Sequence, residues 1–593
     1  MGSLWDLVVL PLVFASLSIA VGVITHIYGL PPLLPTALGI LSAAGAAFLW
    51  RDIRSKVTGK GRTAGSLVSH YLVTKVVGWL GRRQRGKLEA DTCDVTRAQE
   101  ETLLRRLRKN ADTLYGKRYD FSSIKDISTF RERHPVTDYE HYRQLIGREA
   151  AGEDRVMLVQ RPARALAGTS GTSGASGAVL LSTGDADSEF FMQRTTKFIY
   201  NPSLRQSEAG TPSIAPAFQV PSERDLLYLH LLFALRDPSV GTLESNFSST
   251  LFYAFTTLQE RWQELVEDVE VGKLSPSLGL GPRLRAALEG LLEPDPGRAA
   301  ELEAHFQQGF RGIARRLWPR LNLVLAVDSG SDRIYGETLR DHYCQGVDLY
   351  SPVYAATEGL IGVNLWPQVS PRRYLLCPRS MFCEFLPEAC PEAELPRPLL
   401  IGEVEEGRSY ELVVTNASGL YRYRLGDVVK VVGFHNQCPI VEFQYRRSQM
   451  LNLRGEKVSE VLFLEALKQA LVLWPGAQLV DYCCAESDIL GDSVGGGDPH
   501  YQVFVELKGL RNLTEVQRYK LDQCLQQASA VYKSFRVKGS LGPMRVQLVS
   551  GGAFAQLRKH MTDSSGAAPH TFRMPRVLRR KDHAHFLVGK TVS

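Results

Sequence analysis

The 593-residue chain lacks most of the features that mark a specialised scaffold. Its nine cysteines are scattered and none stands in a Cys-x-x-Cys pair, so neither a zinc site nor a disulfide framework is indicated. There is little excess charge of one sign: 70 Lys and Arg against 63 Asp and Glu leave a net +7. Spread over this length, that balance argues for no nucleic-acid partner, and no zinc-finger spacing or RNA-binding aromatic signature accompanies it. No internal repeat and no low-complexity tract occurs, which excludes solenoid and collagen-like architectures. What remains is an ordinary globular composition, 44% hydrophobic and 22% charged. At roughly 100–200 residues per domain, the length allows several domains.

The first marked feature is at the N-terminus. From Leu7 to Trp50 there is no Asp, Glu, Lys or Arg. One membrane span needs about 20 apolar residues, so the stretch has room for one span or for two joined at Gly29-Leu30-Pro31-Pro32. Arg51, Arg54, Lys56, Lys60 and Arg62 follow at once. The positive-inside rule therefore predicts a membrane segment over residues 1–50 with the body in the cytosol; a location at the endoplasmic reticulum or nuclear envelope is the accompanying expectation. A cleaved signal peptide and a body in the secretory lumen is the alternative, but Asp6 stands where a basic n-region is wanted.

Residues 51–90 read as a basic connector, 91–445 as a large domain and 446–593 as a smaller one. Apolar spacing predicts helices over Thr96–Lys109, Gln259–Glu270, Pro282–Leu292, Val458–Leu473 and Glu515–Ser529. Strands are predicted over Leu321–Val327, Leu412–Thr415, Asp427–Val432 and Gln502–Lys508, with Gly495-Gly496-Gly497 as a loop. Short apolar runs separated by turns predict a mixed α/β fold.

Three motifs carry chemistry. The first, Gly168-Thr169-Ser170-Gly171-Thr172-Ser173-Gly174-Ala175-Ser176-Gly177, offers backbone N–H groups and hydroxyls to a polyphosphate, although no Gly-Lys-Ser/Thr makes it a Walker A loop. Alone, it reads equally as a flexible connector. The second is Tyr354-Ala355-Ala356-Thr357-Glu358-Gly359: a ring that can stack on a purine, then a hydroxyl beside a carboxylate that can hold Mg²⁺ against phosphate oxygens. The third, Gly419-Leu420-Tyr421-Arg422-Tyr423-Arg424-Leu425-Gly426-Asp427-Val428, places a carboxylate after a glycine at a strand start, where it can accept ribose hydroxyls; a plain Gly-Asp turn is the other reading.

In this order and spacing the three motifs resemble those of the adenylate-forming enzymes, and most closely those of the auxin-responsive acyl-acid amido synthetases, the Gretchen Hagen family. Tyr115-Gly116-Lys117, Pro135-Val136-Thr137-Asp138-Tyr139-Glu140, Leu317-Trp318-Pro319 and Val432-Gly433-Phe434 carry the same resemblance, which runs from about Asn110 to Arg576. It implies a large adenylation-type domain and a small mobile C-terminal α+β domain. It implies ATP and Mg²⁺ as cofactors, with a small-molecule carboxylic acid and an amine acceptor as substrates. Residue by residue, Thr169, Ser170, Gly171, Thr172 and Ser173 would hold the phosphates and Tyr354 would face the adenine. Thr357 and Glu358 would serve phosphate and Mg²⁺, with Glu358 as the metal ligand, and Asp427 would bind the ribose. Arg446-Arg447 would form the hinge, with Arg447 also among the cofactor-binding residues, and Glu358, Lys457 and Arg573 would be the catalytic residues.

The chain departs from the family pattern twice. The phosphate loop usually ends in a lysine, where this chain has Ala178, and Phe572-Arg573-Met574-Pro575-Arg576 carries arginine in place of a catalytic lysine. Arginine keeps the charge without the compact ammonium. Two readings follow: an acid–amino acid ligase, or a catalytically degenerate relative that binds nucleotide or a partner.

Overall fold

A computed structural model describes residues 64–158, 165–168, 178–181, 220, 222–238, 240–388, 397–491, 498–565 and 572–592. The chain divides into two compact units, residues 1–90 and 91–593. In the first, the described element is helix α1 (Ala64–Cys93), whose end passes into the second unit. Trp79 is exposed on it, and the Arg83 guanidinium lies 5.6 Å from its ring centroid.

The membrane location expected from the sequence is corrected at this point. Among the described residues no helix is long and apolar enough to cross a membrane. Helix α1 is the longest described, but Arg82, Arg83, Arg85, Lys87, Glu89 and Asp91 interrupt any apolar run. Residues 1–50, on which that expectation rested, lie outside the described residues, as do Thr169–Ser173 and Gly495–Gly497. Nothing described supports an endoplasmic reticulum, nuclear-envelope or lumenal location.

The second unit is mixed α/β. Strands β1 (Ala165–Gly168) and β2 (Ala178–Leu181) pair antiparallel with Gly168 opposite Ala178, so residues 169–177 connect them. Strands β3 (Thr242–Phe247), β4 (Leu323–Val327) and β5 (Asp348–Tyr350) form a parallel sheet. Eight antiparallel strands make the largest sheet: β6 (Val353–Ala356), β7 (Gly359–Val363), β8 (Tyr374–Leu376), β9 (Phe382–Pro387), β10 (Leu399–Leu400), β11 (Ser409–Thr415), β12 (Tyr423–His435) and β13 (Cys438–Arg446). They lie in the order β10-β9-β11-β12-β13-β8-β7-β6. A four-stranded mixed sheet follows, β14 (Gln478–Glu486), β15 (Tyr501–Lys508), β16 (Arg545–Leu548) and β17 (Val577–Leu578), ordered β16-β15-β14-β17.

Several helices begin where a side chain satisfies one of their free N–H groups. Asp94 caps α2 (Val95–Lys109), accepting from Arg97 N at 3.2 Å, and Leu103 and Leu107 on its inner face are buried. Ser222 caps α3 (Glu223–Leu235), whose residues Leu227–Leu235 are all buried, as in a helix inside a core. Helix α4 (Ser248–Val271) ends at Gly272, φ +71°, in the left-handed conformation that glycine adopts readily. Ser459 caps α5 (Glu460–Val472).

One hydrophobic core runs from residues of the 220–349 stretch into residues of 451–577 without a break, joining Leu232, Trp318 and Val324 to Phe463, Val503 and Leu525. A second core lies under residues 103–158, closed by Phe382, Leu420 and Tyr421. At its centre His134 Nδ1–H donates to the Pro135 carbonyl at 2.8 Å, which leaves Nε2 to accept the Tyr115 hydroxyl at 2.7 Å. Burial outweighs the Pro135 bond and lowers the His134 pKa from 6.5 to about 3. The unfolded state therefore binds this proton first, so folding stability is lost as pH falls from about 6.5 toward about 3, by ~1.4 kcal/mol per pH unit at most. Urea midpoints against pH for wild type and His134→Gln measure this; a flat wild-type profile across that window rules it out.

Candidate active site

The second and third motifs meet at one end of the largest sheet. Thr357 and Glu358 form the turn between β6 and β7, closed by Gly359 at φ +143°, a conformation that L side chains rarely adopt. Asn416, buried after β11, ties that turn to the third motif. Its Nδ2 donates to the Glu358 carbonyl at 2.9 Å, and its Oδ1 accepts from Ser418 N at 3.1 Å and Leu420 N at 3.0 Å. Local side-chain bonds of this kind set the path of a loop.

Asp427 on β12 stands opposite Arg446 at the end of β13. Arg446 Nε donates to Asp427 Oδ1 at 2.6 Å, and the Tyr354 hydroxyl donates to Oδ2 at 2.9 Å. Asp427 is 1% exposed. A carboxylate has about four acceptor sites, so two donors leave capacity for two more. Burial acts against the Arg446 cation, and Asp427 and Glu358 outweigh it, holding its pKa above the ordinary value. Burial also raises the Glu358 carboxyl, opposed by Arg446 and reinforced by Asp427. The Tyr354 hydroxyl is held well above its ordinary pKa by burial and then by the Asp427 charge, and so it stays a donor. Its ring lies 5.6 Å from Tyr374 and 5.9 Å edge-on from Phe443.

The structure thus brings Tyr354, Thr357, Glu358, Asp427 and Arg446 together. Arg573 adjoins this cluster: a β-carbon on Gly330 would lie 3.2 Å from the Phe443 ring and 3.4 Å from Arg573 Nη2. Arg447 donates to Glu411 Oε2 at 2.9 Å, a carboxylate that it shares with Arg424. Arg447 and Lys457 line a cavity of about 950 Å³ with Tyr445, Ser459 and Arg579. Lys457 has φ +47°, a conformation that is costly outside glycine and often kept for function. Sequence reasoning missed Asp332, Glu411 and Glu384. Glu384 takes two bonds from buried Arg422, at 2.9 and 3.0 Å, so the first arginine of the third motif is structural. None of the three stands in a recognisable motif.

Among the described residues no group of three or more His, Cys, Asp or Glu can hold a metal ion. Mg²⁺ bound to a nucleotide keeps mostly water and phosphate oxygens and needs one or two protein carboxylates, so Glu358 beside Thr357 fits such an ion.

Family models match in chain order: the GH3 family N-terminal domain over residues 84–211 and 192–349, the central domain over 374–446 and the C-terminal domain over 462–582. The GH3 domain-containing protein of Mus musculus is 36% identical over 527 residues, 89% of this chain and 93% of that protein. Jasmonoyl--L-amino acid synthetase JAR4 of Nicotiana attenuata is 29% identical over 544 residues, 83% of this chain and 92% of its own. The solved structure of GH3.15 acyl acid amido synthetase aligns with a TM-score of 0.73 and 25% identity, over 86% of this chain and 96% of that one. With models matched from residue 84 to 582 and a relative above one-third identity along nearly its full length, the chain belongs to the GH3 family.

Proposed function

We propose that the protein activates a small carboxylic acid with ATP and Mg²⁺, giving an acyl-adenylate and pyrophosphate, and passes the acyl group to an amine of the amino-acid class. The observation that carries this reading is Asp427. It is a fully buried carboxylate, ordered by Tyr354 and Arg446, beside the Glu358 turn, in a chain of a family that includes proteins named as amido synthetases.

In this reading Asp427 accepts the ribose hydroxyls, and Tyr354 orders it while its ring lies toward the adenine. Glu358, with Thr357, holds Mg²⁺ against the phosphates; that ion supplies charge neutralisation there. Thr169, Ser170, Gly171, Thr172 and Ser173 cradle the phosphates. Lys457 and Arg573 face the negative charge that grows as the acid attacks the α-phosphate, where fixed cations act with most effect in a water-poor site. The hinge is assigned to Arg446-Arg447, where β13 ends, between a large domain over 91–445 and a small one over 446–593. Movement there exchanges the groups facing the substrate between the two half-reactions.

ATP–pyrophosphate exchange across a panel of carboxylic acids, followed by mass detection of the amide with each amino acid, tests this directly. No exchange with any acid would leave the second reading, a relative that binds nucleotide or a partner without catalysis. Ala178 in the lysine position and arginine at 573 are the features that favour it.

A further inference from the structure

The turn after β4, Ser329–Asp332, is built around Arg573. Arg573 Nε donates to Asp332 Oδ2 at 2.6 Å, and Nη2 donates to the Ser329 carbonyl at 2.6 Å. The guanidinium carbon lies 5.0 Å from the centroid of the Phe247 ring, a cation–π contact. Gly330 has φ +59°, and the absence of its side chain leaves room for both Nη2 and the Phe443 ring. Asp332 is 1% exposed and is itself anchored to the start of α4. Its carbonyl accepts the Ser248 hydroxyl at 2.8 Å, and its Oδ1 faces Ser249 N at 3.4 Å.

A guanidinium has five N–H donors in a rigid plane. Two are committed, both along the edge that faces the turn. No described residue accepts from Nη1, and the side chain is 18% exposed. The Phe443 ring, which shares the space over Gly330 with Nη2, stands edge-on to Tyr354, and Tyr354 bonds Asp427. Arg573 therefore lies one aromatic ring away from the cluster assigned to the nucleotide. A lysine has a single ammonium on a flexible stem and cannot bind two acceptors on one side while presenting charge in a fixed direction on the other.

We propose that Asp332 is the positioning residue for Arg573, and that the two together replace the single lysine of the family motif. Asp332 and Ser329 hold one edge of the guanidinium, which leaves Nη1 for the α-phosphate of a bound nucleotide. This rests on the amido synthetase reading. It makes the arginine a working substitution and places its second half 241 residues away in the chain.

The test uses the full-length protein and two readouts. In ATP–pyrophosphate exchange, Asp332→Asn lowers kcat about 10-fold and Asp332→Ala about 10²-fold, near the loss expected for one preorganised donor, while KM for ATP stays within about two-fold. Asp332→Glu recovers part of the loss. Arg573→Lys falls by about 10²-fold, and Arg573→Ala combined with Asp332→Ala is no worse than Arg573→Ala alone, because the pair acts as one unit. Full kcat in both Asp332→Asn and Asp332→Ala, with wild type exchanging, overturns the proposal. So does a double variant whose losses add.

The second readout is phenylglyoxal modification of Arg573, followed by mass spectrometry with and without ATP and Mg²⁺. Nucleotide protects Arg573 in wild type and fails to protect it in Asp332→Asn. Equal protection in the two, or none in either, overturns the proposal even if wild type exchanges with no acid, an outcome that by itself removes only the amido synthetase reading.

Discussion

Asp427→Ala is expected to abolish ATP binding and to lower folding stability by about 3–5 kcal/mol, the range for removing one partner of a buried ion pair. The substitution removes the carboxylate to which Arg446 donates at 2.6 Å, and leaves the buried Tyr354 hydroxyl without the Asp427 acceptor. In the proposed nucleotide site it also removes the acceptor of two charge-assisted ribose bonds, each worth roughly 1.5–3 kcal/mol. Asp427→Asn keeps the shape and one acceptor oxygen, so its stability should lie between those of wild type and Asp427→Ala. Isothermal calorimetry with ATP and Mg²⁺ and urea unfolding of the three proteins give both numbers. Wild-type ATP affinity in Asp427→Ala would take Asp427 out of the nucleotide site altogether.

The second large effect is expected at Arg576. Its guanidinium is fully buried between the Tyr335 and Tyr482 rings, 5.2 and 4.8 Å away. It bonds the Asp481 carboxylate, the Tyr482 carbonyl at 2.8 Å and the Ser331 carbonyl at 2.6 Å. Arg576→Met keeps much of the volume but leaves Asp481 as a buried charge, with the Tyr335 hydroxyl and the Tyr482 N–H as its remaining donors among the described residues. A loss of about 3–5 kcal/mol is expected, and Arg576→Met combined with Asp481→Leu should recover most of it, since replacing a whole buried pair is often neutral. Exchange activity should fall with the single variant, because Arg573 sits on the same segment. A single variant as stable as wild type in urea would show that the pair contributes nothing to folding stability.

What the sequence made legible was local. Asn416–Gly419 announces a turn because Asn and Gly have turn chemistry, and β11 and β12 do flank it. Helices α2 and α5 were readable from their apolar spacing and lie within two residues of the expected bounds. Helix α4 starts at Ser248, eleven residues before the expected Gln259. The polar run Ser248-Ser249-Thr250 hides its start, and the reason it is helical is tertiary: Ser248 and Ser249 meet Asp332. The same limit governs the site. Tyr354 and Asp427 could be named from their motifs, but the bond between them spans 73 residues. The partner of Arg573 lies in a turn with no signature at all. Nothing in a one-dimensional pattern distinguishes Asp332 from Asp328 four residues earlier, which binds Arg340 and Arg372 instead.

The unbroken core that joins 220–349 to 451–577 has a consequence for synthesis. Residues such as Leu232, Trp318 and Val324 share one core with Phe463, Val503 and Leu525, which leave the ribosome long after them. At roughly 5–20 residues per second, the wait is on the order of ten seconds or more. The largest sheet, encoded between the two halves, can form first. A nascent chain paused before residue 451 therefore carries an open apolar face, which makes this interval the point at which holding chaperones, translation speed or a premature stop decide the yield of folded protein.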